Sequence, residues 1–151
     1  MISDIYHIGL TVSDLERSIG FYRDVLGLEF QGRLTMEDAA AATLFGRKGC
    51  RAEVAYLKRS DREMAPPVEL ICFTDQTSEQ QTGSLFRTSI SEICFYTDDI
   101  WKDYRQLKEK GVEFLSEPQT FDFTADGFGK SLAVYLKDPD GIILELMQPL
   151  E

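Results

Sequence analysis

The chain has 151 residues, 43% of them hydrophobic, and a formal charge of −10 from 16 basic and 26 acidic side chains. That length suits one ordinary domain with a proper core and is too short for two large independent ones. The acidic balance argues against a nucleic-acid or anionic-lipid surface, which would need clustered Lys and Arg, and no apolar run approaches the roughly 18 residues needed to cross a bilayer.

The opening Met1-Ile2-Ser3-Asp4 lacks the basic and apolar stretches of a secretory leader, so a cytoplasmic protein is expected. Residues 5–12 alternate at period two, as a strand with one buried face should. Ser13-Asp14-Leu15-Glu16 reads as a capping box, Ser13 pairing with Glu16 and Asp14 the rival cap. The helix that follows carries Leu15, Ile19, Phe21, Tyr22, Val25 and Leu26 at helical spacing and stops at Gly27. Strands are expected at 28–35, 51–58 and 67–74, with a short Ala-rich helix over 37–45. Residues 76–89, rich in Gln, Ser and Thr, read as a linker between a first module, 1–75, and a second, 90–151. The second module runs through a strand from Ile90, a helix capped by Asp99 and stopped by Gly111, and strands at 112–115, 131–137 and 142–148. Residues 116–130 read as a loop, and Asp138-Pro139-Asp140-Gly141 as a tight turn. Cys50, Cys72 and Cys94 are odd in number and lack CxxC spacing, so they form neither a disulfide framework nor a zinc knuckle.

The two modules repeat one another. Ile5 to Leu15 lies over Ile90 to Ile100, Ala55-Tyr56-Leu57-Lys58 recurs as Val134-Tyr135-Leu136-Lys137, and Val68-Glu69-Leu70 recurs as Leu144-Glu145-Leu146. Each module therefore reads β-α-β-β-β, an α+β fold. Strand parity puts His7 on the face opposite Ile8, Leu10 and Val12, beside Gly9, which leaves room. Glu92 takes the place of His7 in the second module. Glu69 and Glu145 are each set in an apolar strand, where an unpaired carboxylate is costly to bury. Two such acids at equivalent places point to a shared, paired site.

These motifs, together with Ser18 to Gly27 and Asp138-Pro139-Asp140-Gly141, resemble the vicinal oxygen chelate superfamily, the glyoxalase, bleomycin-resistance and extradiol-dioxygenase group, over nearly the whole chain. The resemblance is nearest to the lactoylglutathione-lyase-like and epimerase-like branch. It implies two tandem βαβββ modules whose curled mixed sheets form a metal-binding cup, a homodimer, and one divalent ion held by His7, Glu69, Glu92 and Glu145. The family usually has histidine where this chain has Glu92. With one histidine in the chain, a two-His-one-carboxylate iron site cannot be built, which weighs against extradiol ring cleavage. The expected function is that of a glyoxalase-type isomerase, epimerase or lyase. Its small substrate would chelate the ion through two neighbouring oxygens, with Glu145 and Glu69 as proton-transfer residues. Oxygen-rich ligands favour Mn, Fe or Mg, and Ni, Co and Zn are in keeping with the family. The alternative is a non-catalytic protein that binds a small ligand or antibiotic, as bleomycin-resistance proteins do.

Overall fold

The computed structural model describes residues 4–59 and 66–150. Residues 1–3 and 151, the ends of the two expected modules, and 60–65, in the loop expected before the strand at 67–74, lie outside the described residues. The chain divides into two compact units between Gln80 and Gln81. Among the described residues no helix is long and apolar enough to cross a membrane.

The first unit contains β1 (Ile8–Thr11), α1 (Leu15–Gly20) continued by a π-helical turn (Phe21–Val25), β2 (Glu29–Met36), α2 (Ala39–Leu44), β3 (Ala52–Lys58) and β4 (Val68–Phe73). Its sheet has the order β1-β4-β3-β2, with β1 parallel to β4 and the other pairs antiparallel. One face is the core. Leu10, Val12, Leu57, Val68 and Leu70 are buried with Leu15, Ile19 and Tyr22 of the helical segment, which packs on β3 and β4. Each such aliphatic side chain withdrawn from water stabilises by about 1.5–3 kcal/mol. The cap of α1 differs from the expected box. Asp14 is the N-cap, accepting from the Arg17 N–H at 3.0 Å, while Ser13 accepts from the Arg17 side chain. Glu16 is drawn instead to Arg33 of β2, 2.7 Å away.

The second unit contains β5 (Ile93–Tyr96), α3 (Ile100–Glu109), β6 (Gln119–Phe123), a 3₁₀ turn (Thr124–Asp126), β7 (Gly129–Lys137) and β8 (Ile143–Leu150). Its sheet, β5-β8-β7-β6, repeats the first, with β5 parallel to β8. Asp99 caps α3 as expected, accepting from Lys102 N–H at 3.0 Å, and Ile100, Tyr104 and Leu107 are its buried face. The expected strand at 112–115 is reduced to a single bridge between Phe114 and Leu136. The missing strand is β6, inside the segment read as a loop. All five of its residues are exposed at the sheet edge, so they lack the buried-exposed alternation that marks a strand in sequence.

Candidate functional site

The free face of each sheet carries one buried carboxylate in a central strand. In the first unit it is Glu69 of β4, 8% exposed. Its register partners are Gly9 on β1 and Tyr56 on β3. His7, two residues before Gly9, brings Nε2 to 3.2 Å from Glu69 Oε2. The Tyr56 hydroxyl donates to Glu69 Oε1 at 2.5 Å. That hydrogen bond, with burial and the carboxylate's charge, pushes the Tyr56 phenol up to about 12, so it stays a donor at neutral pH. Gly9 leaves the carboxylate room, because a Cβ there would stand 3.2 Å from Glu69 Oε2. Farther along this face Phe45, just after α2, packs edge-on against Phe73.

In the second unit the carboxylate is Glu145 of β8, also 8% exposed. Its register partners are Cys94 on β5 and Tyr135 on β7. Position for position Cys94 replaces Gly9, Tyr135 replaces Tyr56 and Glu92 replaces His7. Burial raises the pKa of Glu145 and so does the charge of Glu92, against a hydrogen bond from Cys94 that lowers it. Cys94 is exposed over the residue as a whole, yet desolvation, with the hydrogen bond to Glu145, pushes its thiol up to about 12. A thiol held protonated in this way is a poor nucleophile at neutral pH. Tyr135 is also raised, first by burial and then by the charges of Glu145 and Glu92.

Within the first unit the structure brings His7 and Glu69 together, and within the second the charge of Glu92 acts on Glu145. Among the described residues no three His, Cys, Asp or Glu side chains are grouped to hold a metal ion. The His7–Glu69 pair does fit one as a donor set. An imidazole nitrogen and a carboxylate oxygen 3.2 Å apart have the spacing of two adjacent ligands each bonded to one ion at about 2.0–2.3 Å. The two tyrosines were missed as site residues in the sequence, although the repeated Tyr-Leu-Lys of Tyr56-Leu57-Lys58 and Tyr135-Leu136-Lys137 displays them. A tyrosine in a strand is ordinary, and only the register shows that each faces a carboxylate.

The sequence profile of the Glyoxalase/Bleomycin resistance protein/Dioxygenase superfamily matches residues 4–146. The chain belongs to this superfamily. Among its relatives, the virulence protein STM3117 of Salmonella typhimurium is 26% identical over 149 residues, covering 98% of this chain and 85% of that protein. The lactoylglutathione lyase of Haemophilus influenzae is 27% identical over 144 residues, 95% of this chain and 91% of the enzyme. The mitochondrial methylmalonyl-CoA epimerase of Mus musculus is 24% identical over 144 residues, 94% and 71% respectively. A glyoxalase family protein from Bacillus cereus, APC24694, shares the fold with a TM-score of 0.85 at 20% identity, over 100% of this chain and 97% of that one. The antibiotic-binding protein TnmS3 from Streptomyces sp. CB03234 shares it at 0.64 and 18% identity, over 99% and 98%.

Proposed function

We propose that this superfamily member is a divalent-metal-dependent isomerase, epimerase or lyase of the glyoxalase type, acting beside a carbonyl of a small substrate with two neighbouring oxygens. The duplicated buried carboxylate is the observation that supports this reading. Glu69 and Glu145 each lie in a strand flanked by strands on both sides, nine-tenths buried, and among the described residues no Lys or Arg pairs with them. Burying a carboxylate that way costs stability, and packing alone gives no reason to do it twice at equivalent positions.

His7, Glu69, Glu92 and Glu145 are the proposed donors. A divalent ion, when bound, would supply Lewis acidity, drawing off the negative charge that develops on the substrate's carbonyl oxygen. The chain's own groups move the proton. Glu145, its pKa lifted by burial and by the charge of Glu92, suits a general base near neutral pH. It takes the proton from the carbon beside the carbonyl and returns it. Return to the same carbon from the other face gives epimerisation, and return to the neighbouring carbon gives isomerisation. Glu69 is the second proton-transfer group from the first repeat. The relatives named as a lactoylglutathione lyase and a methylmalonyl-CoA epimerase make glutathione adducts and acyl-CoA thioesters the first substrates to try.

The test is deuterium incorporation from D2O into those substrates, with metal analysis of the purified protein. Wild type should hold one divalent ion per chain and wash deuterium in, activity should vanish on chelation, and Glu145→Gln should slow exchange by about 10²–10⁴-fold. Exchange and turnover that persist in Glu145→Gln would sink the role given to that residue.

A second reading, a ligand-binding protein without catalysis, is favoured by one feature. Phe121 and Phe123 of β6 stack 5.8 Å apart and are 40% and 48% exposed. Register puts them on the same sheet face as Tyr135 and Glu145, opposite the small residues Ser131 and Gly129. Ligand affinity that survives chelation, with no exchange in any substrate, would select this second reading.

A further inference from the structure

We propose that Tyr56 is a positioning residue, whose phenol fixes the Glu69 carboxylate so that Oε2 alone is presented beside His7. The inference rests on the reading of His7 and Glu69 as donors to one ion, and concerns what holds them in place before any ion arrives.

Three strands meet at this carboxylate. From β3, the Tyr56 hydroxyl takes Oε1 at 2.5 Å. From the residue preceding β1, His7 Nε2 stands 3.2 Å from Oε2. From β1 itself, Gly9 forms a close wall, since a Cβ there would already be 3.2 Å from Oε2. The two oxygens are thus engaged by different groups on different sides, which sets the plane of the carboxylate as well as its position. The Tyr56 ring also lies edge-on to the imidazole, with centroids 6.1 Å apart, so one side chain borders both proposed donors. Groups that orient metal ligands in this way are typically worth 10–100-fold in metal affinity.

The second unit is an internal control. Tyr135 faces Glu145 in the same register, but among the described residues no hydrogen bond joins the two, and after burial it is the charge of Glu145 that acts on Tyr135. The phenolic hold belongs to the first carboxylate.

The experiment compares Tyr56→Phe and Tyr135→Phe with wild type. Phenylalanine keeps the ring and its packing and deletes only the hydroxyl. His7 is the single histidine of the chain, so its ring nitrogen resonances in metal-stripped, 15N-labelled protein are unambiguous. Tyr56→Phe should move those resonances and weaken cobalt(II) binding about 10–100-fold, followed by the cobalt absorption bands. Tyr135→Phe should leave the His7 resonances in place and change cobalt affinity by less than about threefold. In unmutated protein the Tyr56 hydroxyl proton should appear as a slowly exchanging, downfield signal, a readout that needs no variant to fold. Unmoved His7 resonances or wild-type cobalt affinity in Tyr56→Phe, an equal cobalt loss in Tyr135→Phe, or absence of the hydroxyl signal would overturn the proposal. If wild type takes up no cobalt, the metal reading fails. The His7 resonances then decide by themselves whether Tyr56 holds the carboxylate.

Discussion

At Gly9 a single hydrogen atom in place of a methyl group leaves the Glu69 carboxylate its position. An alanine Cβ would lie 3.2 Å from Oε2, closer than an ordinary contact. The carboxylate has little freedom to retreat, because its other oxygen is hydrogen-bonded to Tyr56. In a strand, Gly→Ala is otherwise favourable by about 0.5–1 kcal/mol, through the backbone entropy the unfolded chain gives up. The two effects oppose each other in stability but not in ion binding. Gly9→Ala is therefore expected to change the denaturation midpoint of metal-free protein by less than about 1 kcal/mol, while lowering cobalt affinity about tenfold through the displaced ligand. Isothermal titration beside urea denaturation reads both. Wild-type cobalt affinity in Gly9→Ala would mean that Oε2 is not a ligand. Cys94 shows why the requirement is local to this position. It carries a Cβ at the matching place, directly across from Glu145.

Among the elements, β3, β4 and the loop after α2 are tied together by Asp75. It accepts from the Arg51 N–H at 3.0 Å and pairs with Arg47, and Arg47 lies over the Phe73 ring at 5.5 Å. The Arg51 backbone hydrogen bond, and then the Arg47 charge, hold the Asp75 carboxyl below its ordinary value. A depressed folded pKa stabilises above the unfolded value of about 3.9 and loses that stabilisation as pH falls through the folded one. Wild type should therefore exceed Asp75→Asn in urea midpoint by a constant margin between about pH 5 and 7, and the margin should shrink below about pH 4. A margin that does not vary with pH would show that the contact acts through shape alone. This clamp was not legible in the sequence, because Asp75 and Glu37 lie 28 and 14 residues from Arg47 and Arg51 and only the fold brings them together. What was legible has a common cause. The strand of His7, both buried-carboxylate strands and the helix capped by Asp99 announce themselves through burial periodicity or cap chemistry. Strand β6 has neither, being exposed along its whole length and held by pairing with β7. Phe121, Phe123 and Phe128, in the segment read as a loop, are not core, at 40%, 48% and 86% exposed.

At the scale of the whole molecule, the repeat built the same device twice and then let the copies diverge. Both keep the tyrosine and the buried carboxylate, whereas one has His7 and Gly9 where the other has Glu92 and Cys94. A lone His–Glu pair is a weak chelate, and a pair of glutamates repels itself. A divalent ion beside either set would offset the carboxylate charge that each unit gathers on its free face. The consequence is thermodynamic. An ion that binds only the folded protein stabilises by about 2.7 kcal/mol at a hundredfold excess over its Kd, about 5–10 °C in melting temperature for a chain of this size. Excess cobalt(II) should raise the melting temperature by that amount and EDTA should return it. His7→Ala and Glu69→Ala, the two partners of the first unit's pair, should each abolish most of the rise. A rise that survives His7→Ala would show that the imidazole is no ligand, since a ligand cannot be removed without removing its share of the linkage.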